Sequence, residues 1–219
     1  MEAKPSDAGR QTAYWDSVAE AKTFSLPVDL PLLNAYLPLE SKILDYGCGY
    51  GRVCQQLAEF GFSRPVGVDS SAEMIRRARQ INPQLSFEVG AAADLPYPAG
   101  TFDAILLIAV LTCIPSDEAQ KQLIASLGRL LRLGGILYIA DYPLQTDERN
   151  RQRYVRHTDE FGTYGVFRLD EGGIFRHHAI DWITHLLADF ATIDITYVDV
   201  LTMNGHTARA FQYCGKKED

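Results

Sequence analysis

Ile43-Leu44-Asp45-Tyr46-Gly47-Cys48-Gly49-Tyr50-Gly51-Arg52 reads as a short buried strand, a glycine turn and the start of a helix. Glycines at alternate positions leave the backbone bare, so it can turn tightly and let a ligand press against its N–H groups. A helix beginning near Arg52 would aim the positive end of its dipole at that ligand. Asp45 stands apart from this pattern. A phosphate cradle gains nothing from a carboxylate two residues before its first glycine, whereas a positively charged ligand does.

Outward from the turn, strands and helices alternate. The helix over 53–59 stops at Gly61, a good C-terminal cap. A second strand at 65–69 leads to a helix over 72–80, capped by Ser70 or Ser71. A third short strand at 87–89 and a loop at 90–98 follow. The fourth strand, 102–108, is apolar on both faces, as a central parallel strand is. A helix over 117–131 is closed by Gly134-Gly135, and a fifth strand spans 136–141. Upstream, 1–10 reads as a frayed tail, 12–20 as a helix carrying Tyr14 and Trp15, and 30–37 as a short helix. This alternation predicts a doubly wound parallel sheet. Beyond 141 the pattern changes: a charged helix at 147–157, a strand, turn and strand over 164–178, and a helix over 179–189. Two long alternating strands, 191–200 and 207–214, meet through Asn204-Gly205 and read as an antiparallel hairpin.

The 219 residues, 47% hydrophobic and 22% charged, suffice for one sizeable domain with its own core. A net charge of −7 argues against a nucleic-acid polymer as partner. No apolar run approaches membrane-spanning length and residues 1–10 hold no apolar signal core, so no membrane association and a cytoplasmic location are expected. Cys48, Cys54, Cys113 and Cys214 lie far apart without ligand spacing. They read as reduced packing thiols, and no metal is expected.

Four stretches, in this order, resemble the class I S-adenosylmethionine (SAM)-dependent methyltransferases of the small-molecule type. They are Leu44-Asp45-Tyr46-Gly47-Cys48-Gly49-Tyr50-Gly51, then Gly67-Val68-Asp69-Ser70-Ser71-Ala72-Glu73-Met74, then Ala93-Asp94-Leu95-Pro96-Tyr97 with Phe102-Asp103, and Leu130-Leu131-Arg132-Leu133-Gly134-Gly135-Ile136-Leu137. The resemblance is close over about residues 40–141 and holds in outline elsewhere. It implies an α/β, Rossmann-like class I methyltransferase fold: a seven-stranded, mostly parallel sheet with a C-terminal antiparallel strand pair. It implies a single domain over 1–219, made of N-terminal helices that act as a lid (1–38), a SAM-binding core (39–141), a substrate-side insertion (142–178), and a final helix with antiparallel strands (179–219). The implied cofactor is SAM, with S-adenosylhomocysteine (SAH) as product. Gly47, Gly49 and Gly51 would let the backbone approach the methionine part, and Asp45 would face its ammonium or position the loop near it. Asp69 would accept hydrogen bonds from the ribose hydroxyls. Asp94, with Leu95 beside it, would reach the adenine amino group. Ser70 and Met74 would flank the adenine, although Met74 reads equally well as core filler. Ile108 would end the fourth strand beside the methyl group.

Methyl transfer is an in-line displacement at a carbon already activated by the sulfonium. The chain mainly aligns the partners and excludes water, and a base is needed only if the acceptor must lose a proton. Ala109-Val110-Leu111-Thr112-Cys113-Ile114-Pro115 stands where an Asn/Asp-Pro-Pro-aromatic tetrapeptide would mark an adenine- or glutamine-amide methyltransferase. Cys113 does not follow a proline, which argues against a cytosine-type nucleophile. A His-His pair common among relatives is replaced by Thr112-Cys113. The acceptor side is expected from the Tyr14-Trp15 segment and the insertion. His178, with His177 beside it, and Tyr14 are the catalytic candidates, against the competing reading of a histidine satisfied in the core. The arginine run over 149–156 could meet an acidic substrate or form a solvated helix face or dimer rim. The expected function is SAM-dependent methyl transfer to a small-molecule acceptor by a monomer or homodimer. The alternative is a catalytically silent protein that binds SAM or SAH. A nicotinamide dehydrogenase would need a glycine where Arg52 stands and leaves Asp45 unexplained.

Overall fold

In the computed structural model, which describes residues 7–218, the glycine turn joins strand β1 (Lys42–Tyr46) to helix α3 (Arg52–Phe60). Ile43 and Leu44 are fully buried, and β1 has parallel neighbours on both sides, β2 (Arg64–Asp69) and β4 (Phe102–Ile108). Beyond β2 lies β3 (Ser86–Val89), and beyond β4 lies β5 (Leu131–Asp141), both parallel. β9 (Thr207–Lys217) then runs antiparallel to β5, and β8 (Phe190–Leu201) antiparallel to β9. The seven-stranded order is β3-β2-β1-β4-β5-β9-β8. This is the α/β, Rossmann-like sheet with a C-terminal antiparallel pair that the sequence implies. Its order reverses between β1 and β4, and in such sheets ligands sit outside the carboxyl ends of the strands at that switch point.

Helices α4 (Ala72–Ile81) and α5 (Asp117–Leu130) begin at serine caps: Ser71 Oγ accepts from the Met74 N–H, and Ser116 Oγ from the Ala119 N–H. The sheet splits the core. One face packs Leu44, Val68, Ile105 and Leu137 against Leu123 and Leu127 of α5. The other packs Ile43, Leu106 and Tyr138 against Leu57 of α3 and Leu33 of α2 (Leu30–Tyr36). α2 is tied down at its start, where Asp29 caps it by accepting from the Leu32 N–H and donates its own N–H to Tyr138 Oη at 3.0 Å. Two regions flank the carboxyl ends of the strands. One is α1 (Asp7–Val18). The other comprises α6 (Glu148–Phe161), the separate antiparallel ribbon β6 (Val166–Arg168) and β7 (Ile174–Arg176), and α7 (Ile180–Leu186).

Three details differ from the sequence expectation. Of the expected frayed tail, residues 1–6 lie outside the described residues, and 7–10 form the first turn of α1. That helix is docked through Gln11, whose Nε2 donates to the Ile174 carbonyl at 2.7 Å and whose Oε1 accepts from the Ile174 N–H at 3.4 Å. The helix at 117 ends at Leu130, and the chain enters β5 at once; Gly134-Gly135 does not cap it. Those glycines serve a register shift between β4 and β5, with Gly134 at φ 69° and with a Cβ on Gly135 falling 2.8 Å from the Arg132 carbonyl. The final helix is shorter than 179–189, the first hairpin strand is one residue longer at each end, and the second starts at Thr207 as expected but runs on to Lys217.

Truncating Leu33→Ala leaves a cavity under α2 and is expected to cost about 2–5 kcal/mol. Tyr138→Phe removes only the acceptor for the Asp29 N–H and is expected to cost about 1–2 kcal/mol. Urea unfolding of both variants checks the order; equal costs would show that α2 is held by its polar anchor rather than by packing.

Candidate active site

At the carboxyl ends of the strands lies a cavity of ≈ 450 Å³, lined by the turns after β1, β2, β4 and β5 and roofed by α1, α6 and the β8–β9 hairpin. Among the sequence-predicted residues, Asp45, Gly47, Gly49, Asp69, Ser70, Met74 and Ile108 line it.

The glycine turn spends its N–H groups internally. Those of Gly47 and Cys48 donate to the Val68 carbonyl at 2.7 and 3.0 Å, and that of Gly51 to the Cys48 carbonyl at 3.0 Å. The Gly49 N–H donates to Asp69 Oδ2 at 2.9 Å. These four donors are therefore already occupied for any ligand that approaches the turn. Glycine is required here for conformation and close packing. Gly47 has φ 75° and Gly49 φ 54°. A Cβ on Gly47 would stand 2.5 Å from Val110 Cγ2, and one on Gly49 would collide with the Phe24 ring.

Two carboxylates stand on this side. Asp69, at the end of β2, takes the Gly49 N–H on one oxygen and the Ser71 N–H on the other, each at 2.9 Å. A carboxylate offers about four acceptor positions, so each oxygen keeps one for a ligand. Asp45 is buried, with Cys54 Sγ donating to it at 3.4 Å, and burial lifts its carboxyl to about 7. A cation placed against it would reverse that shift. Two acceptors beside a bare backbone, Asp45 buried and Asp69 half-buried, suit an ammonium and a diol.

Ala109 follows β4 at φ 57°, the one non-glycine residue with positive φ among the described residues. Its N–H is fixed to the Ala140 carbonyl at 2.8 Å, so the chain turns sharply where Ile108, Ala109 and Val110 line the cavity. α1 closes the roof with Gln11, Thr12 and Trp15. It is latched through Asp16 Oδ1, which accepts from Ser71 Oγ at 2.6 Å and from the Glu73 N–H at 3.3 Å.

The opposite wall is cationic and aromatic. α6 starts at Asp147, whose Oδ1 accepts from the Asn150 N–H at 3.1 Å, and it presents Arg149, Asn150 and Arg153 to the cavity. Tyr154, fully buried, fixes the helix: its Oη accepts from the Gln145 N–H at 3.2 Å and shares a 2.5 Å hydrogen bond with His177 Nδ1. The Arg153 guanidinium lies 3.5 Å from the centroid of Phe167 and 3.4 Å from His177 Nε2. Burial and this neighbouring cation hold His177 well below the usual histidine range, so the imidazole is neutral.

Comparison with known proteins fits this geometry. A family model described as a methyltransferase domain matches residues 43–135. The chain is 41% identical over 164 residues to the trans-aconitate 2-methyltransferase of Azoarcus sp., covering 73% of this chain and 61% of that protein. It is 34% identical over 112 residues to an uncharacterised methyltransferase of Synechocystis sp., covering 51% and 52%. A solved SAM-dependent methyltransferase structure from Methanosarcina mazei superposes with a TM-score of 0.81 at 26% identity, covering 87% of this chain and 99% of that one. Together these matches support a class I SAM-dependent methyltransferase. It spans about half to three-fifths of the length of the two curated relatives, 52% and 61%.

In this chain, several predicted residues stand away from the cavity. His178, the candidate base, is fully buried behind it. Its Nε2 meets Gln120 Nε2 at 3.0 Å, its Nδ1 faces the Tyr142 carbonyl at 3.3 Å, and burial lowers it to about 3. It is a satisfied core histidine, and the cavity receives His177 instead. Tyr14 also points elsewhere: it packs on Phe175 and its hydroxyl donates to Glu171 Oε1 at 3.4 Å, while Trp15 takes the cavity side. Gly51 packs against Phe87, Leu95 is in the core, and Asp94 is exposed; none of the three lines the cavity. Sequence reasoning did not single out Phe24, Asn150, Met203 or His206, which do. For Asn150 a signal existed: it lies between Arg149 and Arg153, which are one helical turn apart. Nothing local marks the hairpin residues. Among the described residues no group of His, Cys, Asp and Glu is placed to hold a metal, and no helix is long and apolar enough to cross a membrane.

The raised Asp45 carboxyl makes stability depend on pH. Its folded value of about 7 lies above the unfolded value, so the folded chain keeps a proton that the unfolded chain loses near pH 4. The stabilisation is complete below about pH 4 and is lost as pH rises through about 7. Asp45→Asn abolishes this dependence, so the stability of the ligand-free variant relative to the parent should rise from about pH 5 to about pH 8. Thermal denaturation at both pH values checks this; a difference that stays constant would refute it.

Proposed function

We propose that the chain, as one domain, transfers a methyl group from SAM to a small-molecule acceptor. The observation that carries this reading is the division of one cavity into two unlike sides. Beside the glycine turn are two carboxylates, Asp45 buried and Asp69 half-buried. Across from them stand α6 and the β6–β7 ribbon, built from a different stretch of chain. One cavity with two chemistries suits two ligands. When bound, SAM supplies a methyl carbon activated by its sulfonium.

The chain's residues then divide the work. Asp45 neutralises the ammonium of the amino-acid end, helped by a turn whose N–H groups do not repel it. Asp69 accepts from the ribose hydroxyls with the lone pairs that Gly49 and Ser71 leave free. Ser70, Met74 and Ala91 flank the adenine. Ile108 and the strained Ala109 set the depth at which the two ligands meet, and Trp15 and Phe24 exclude water from above. The relatives named above are methyltransferases, and one acts on trans-aconitate by its name; both facts support the reading.

Calorimetry is expected to give micromolar SAH binding, with Asp69→Ala weakening it by about tenfold or more. Affinity should rise between about pH 6 and about pH 8, because the ligand's ammonium favours ionised Asp45, and Asp45→Asn should flatten that rise. NADH should give no thermal shift. Absent SAH binding by the native chain would overturn the reading. SAH binding without turnover of any acceptor in a broad metabolite panel would favour a silent binding protein instead.

A further inference from the structure

The cationic side of the cavity is built for a ligand that the cofactor reading does not use. Arg149 and Arg153 are one turn apart on α6, so both guanidinium groups reach the same wall. Among the described residues no carboxylate forms an ion pair with Arg153. Its Nε is buried without a hydrogen-bond partner, and its plane rests on the Phe167 ring. The nearest acid, Asp147, is spent on capping α6 and on Asn150, and reaches Arg149 only at 3.9 Å. Asn150, fully buried beside them, has an unpartnered Oδ1. The acidic lining residues, Asp45 and Asp69, belong to β1 and β2 and not to the helix that carries the arginines. A guanidinium removed from water without an anion is costly, and a bound carboxylate would offset that cost through a bidentate contact.

The same wall offers no ready base. His177 is neutral, with its Nε2 facing the Arg153 cation and its Nδ1 bonded to Tyr154. The Cys113 thiol and the Tyr142 hydroxyl are both pushed up by burial. His206 borders the cavity from the exposed tip of the β8–β9 hairpin and is not part of this wall. An acceptor whose nucleophilic atom already lacks a proton needs no base.

We propose that the acceptor is a small di- or tricarboxylate, clamped through one carboxylate by Arg153 and Arg149 and methylated on an oxygen of another. This rests on the methyl-transfer reading above. The attacking carboxylate oxygen forms a bond to the methyl carbon as the sulfur–methyl bond breaks, and that bonding pair leaves on sulfur. Carboxylate and sulfonium become a neutral methyl ester and a thioether, and no proton is released. Charge annihilation of this kind is favoured in a cavity closed to water. The clamped carboxylate cannot itself attack, because its lone pairs are held by the guanidinium groups; hence at least two are required.

The test titrates trans-aconitate, fumarate and crotonate into the protein, both ligand-free and saturated with SAH, by calorimetry. The tri- and dicarboxylate should bind, with the monocarboxylate about tenfold weaker or more. Arg153→Gln and, separately, Arg149→Gln should each weaken carboxylate binding about tenfold while leaving SAH affinity unchanged, which also shows that each variant is folded. With SAM, the product should be a base-labile methyl ester by mass spectrometry, formed at a rate that is flat between about pH 7 and about pH 9, as expected without a titrating base. Normal SAH binding with no carboxylate bound, or carboxylate binding untouched in both arginine variants, overturns the proposal. Failure of SAH to bind overturns the cofactor reading instead, and the ligand-free titrations still decide whether the arginine wall takes carboxylates.

Discussion

The Asp69 carboxylate holds the glycine-turn side of the cavity together. It joins the turn after β1, through Gly49, to the start of α4, through Ser71. Ser71 passes the connection on, capping α4 and donating to Asp16 of α1. The floor of the cavity and its roof thus meet at one buried helix start. Without the Asp69 acceptor, two buried N–H groups would lose their partner at about 1–3 kcal/mol each. The turn, the helix and the latch would loosen together.

Around that centre, the protein keeps charge where burial disfavours it. Asp45 is buried beside a thiol, and Arg153 against an aromatic ring. Each would be more stable paired, and each opens onto the same cavity. Anything that binds the folded chain and supplies the missing charge stabilises it by mass action.

The parallel half of the fold was legible because its signals are local. A run such as Phe102–Ile108, apolar on both faces, permits few readings other than a central strand, and glycines at alternate positions after β1 mark a turn wherever they occur. The misread points depend on partners distant in sequence. Gly134-Gly135 resembles a helix stop until β4 is placed beside β5 and the register shift appears. The tail at 7–10 becomes helix because Gln11 meets Ile174, 163 positions away. His177 and His178 follow β7, where neighbouring side chains leave on opposite faces. The sequence shows the pair but not which member faces the cavity. Gln120 on α5 decides it by satisfying His178, and Tyr14 and Trp15 divide their roles around α1 for a similar reason.

The arginine run shows where such reading stops. A charged helix over 147–157 has the composition of a solvated face, and much of it is one: Arg151 and Arg156 are exposed, and Val155 stands in solvent. Periodicity alone could suggest that Arg149 and Arg153 share a face, but not that this face borders the cavity, with Arg153 half-buried and Arg149 at its exposed rim. That depends on Tyr154, the next residue along, which is drawn into the core by Gln145 and His177. Gln145 is in turn fixed by the backbone of Arg209 in β9. The orientation of the arginine-bearing wall is therefore set by the last strand of the sheet. The glycine-turn side of the cavity lies in contiguous motifs because one turn and its neighbouring strand ends build it. The arginine-bearing wall is assembled from the insertion and the C-terminal hairpin, and emerges only when the sheet brings them together.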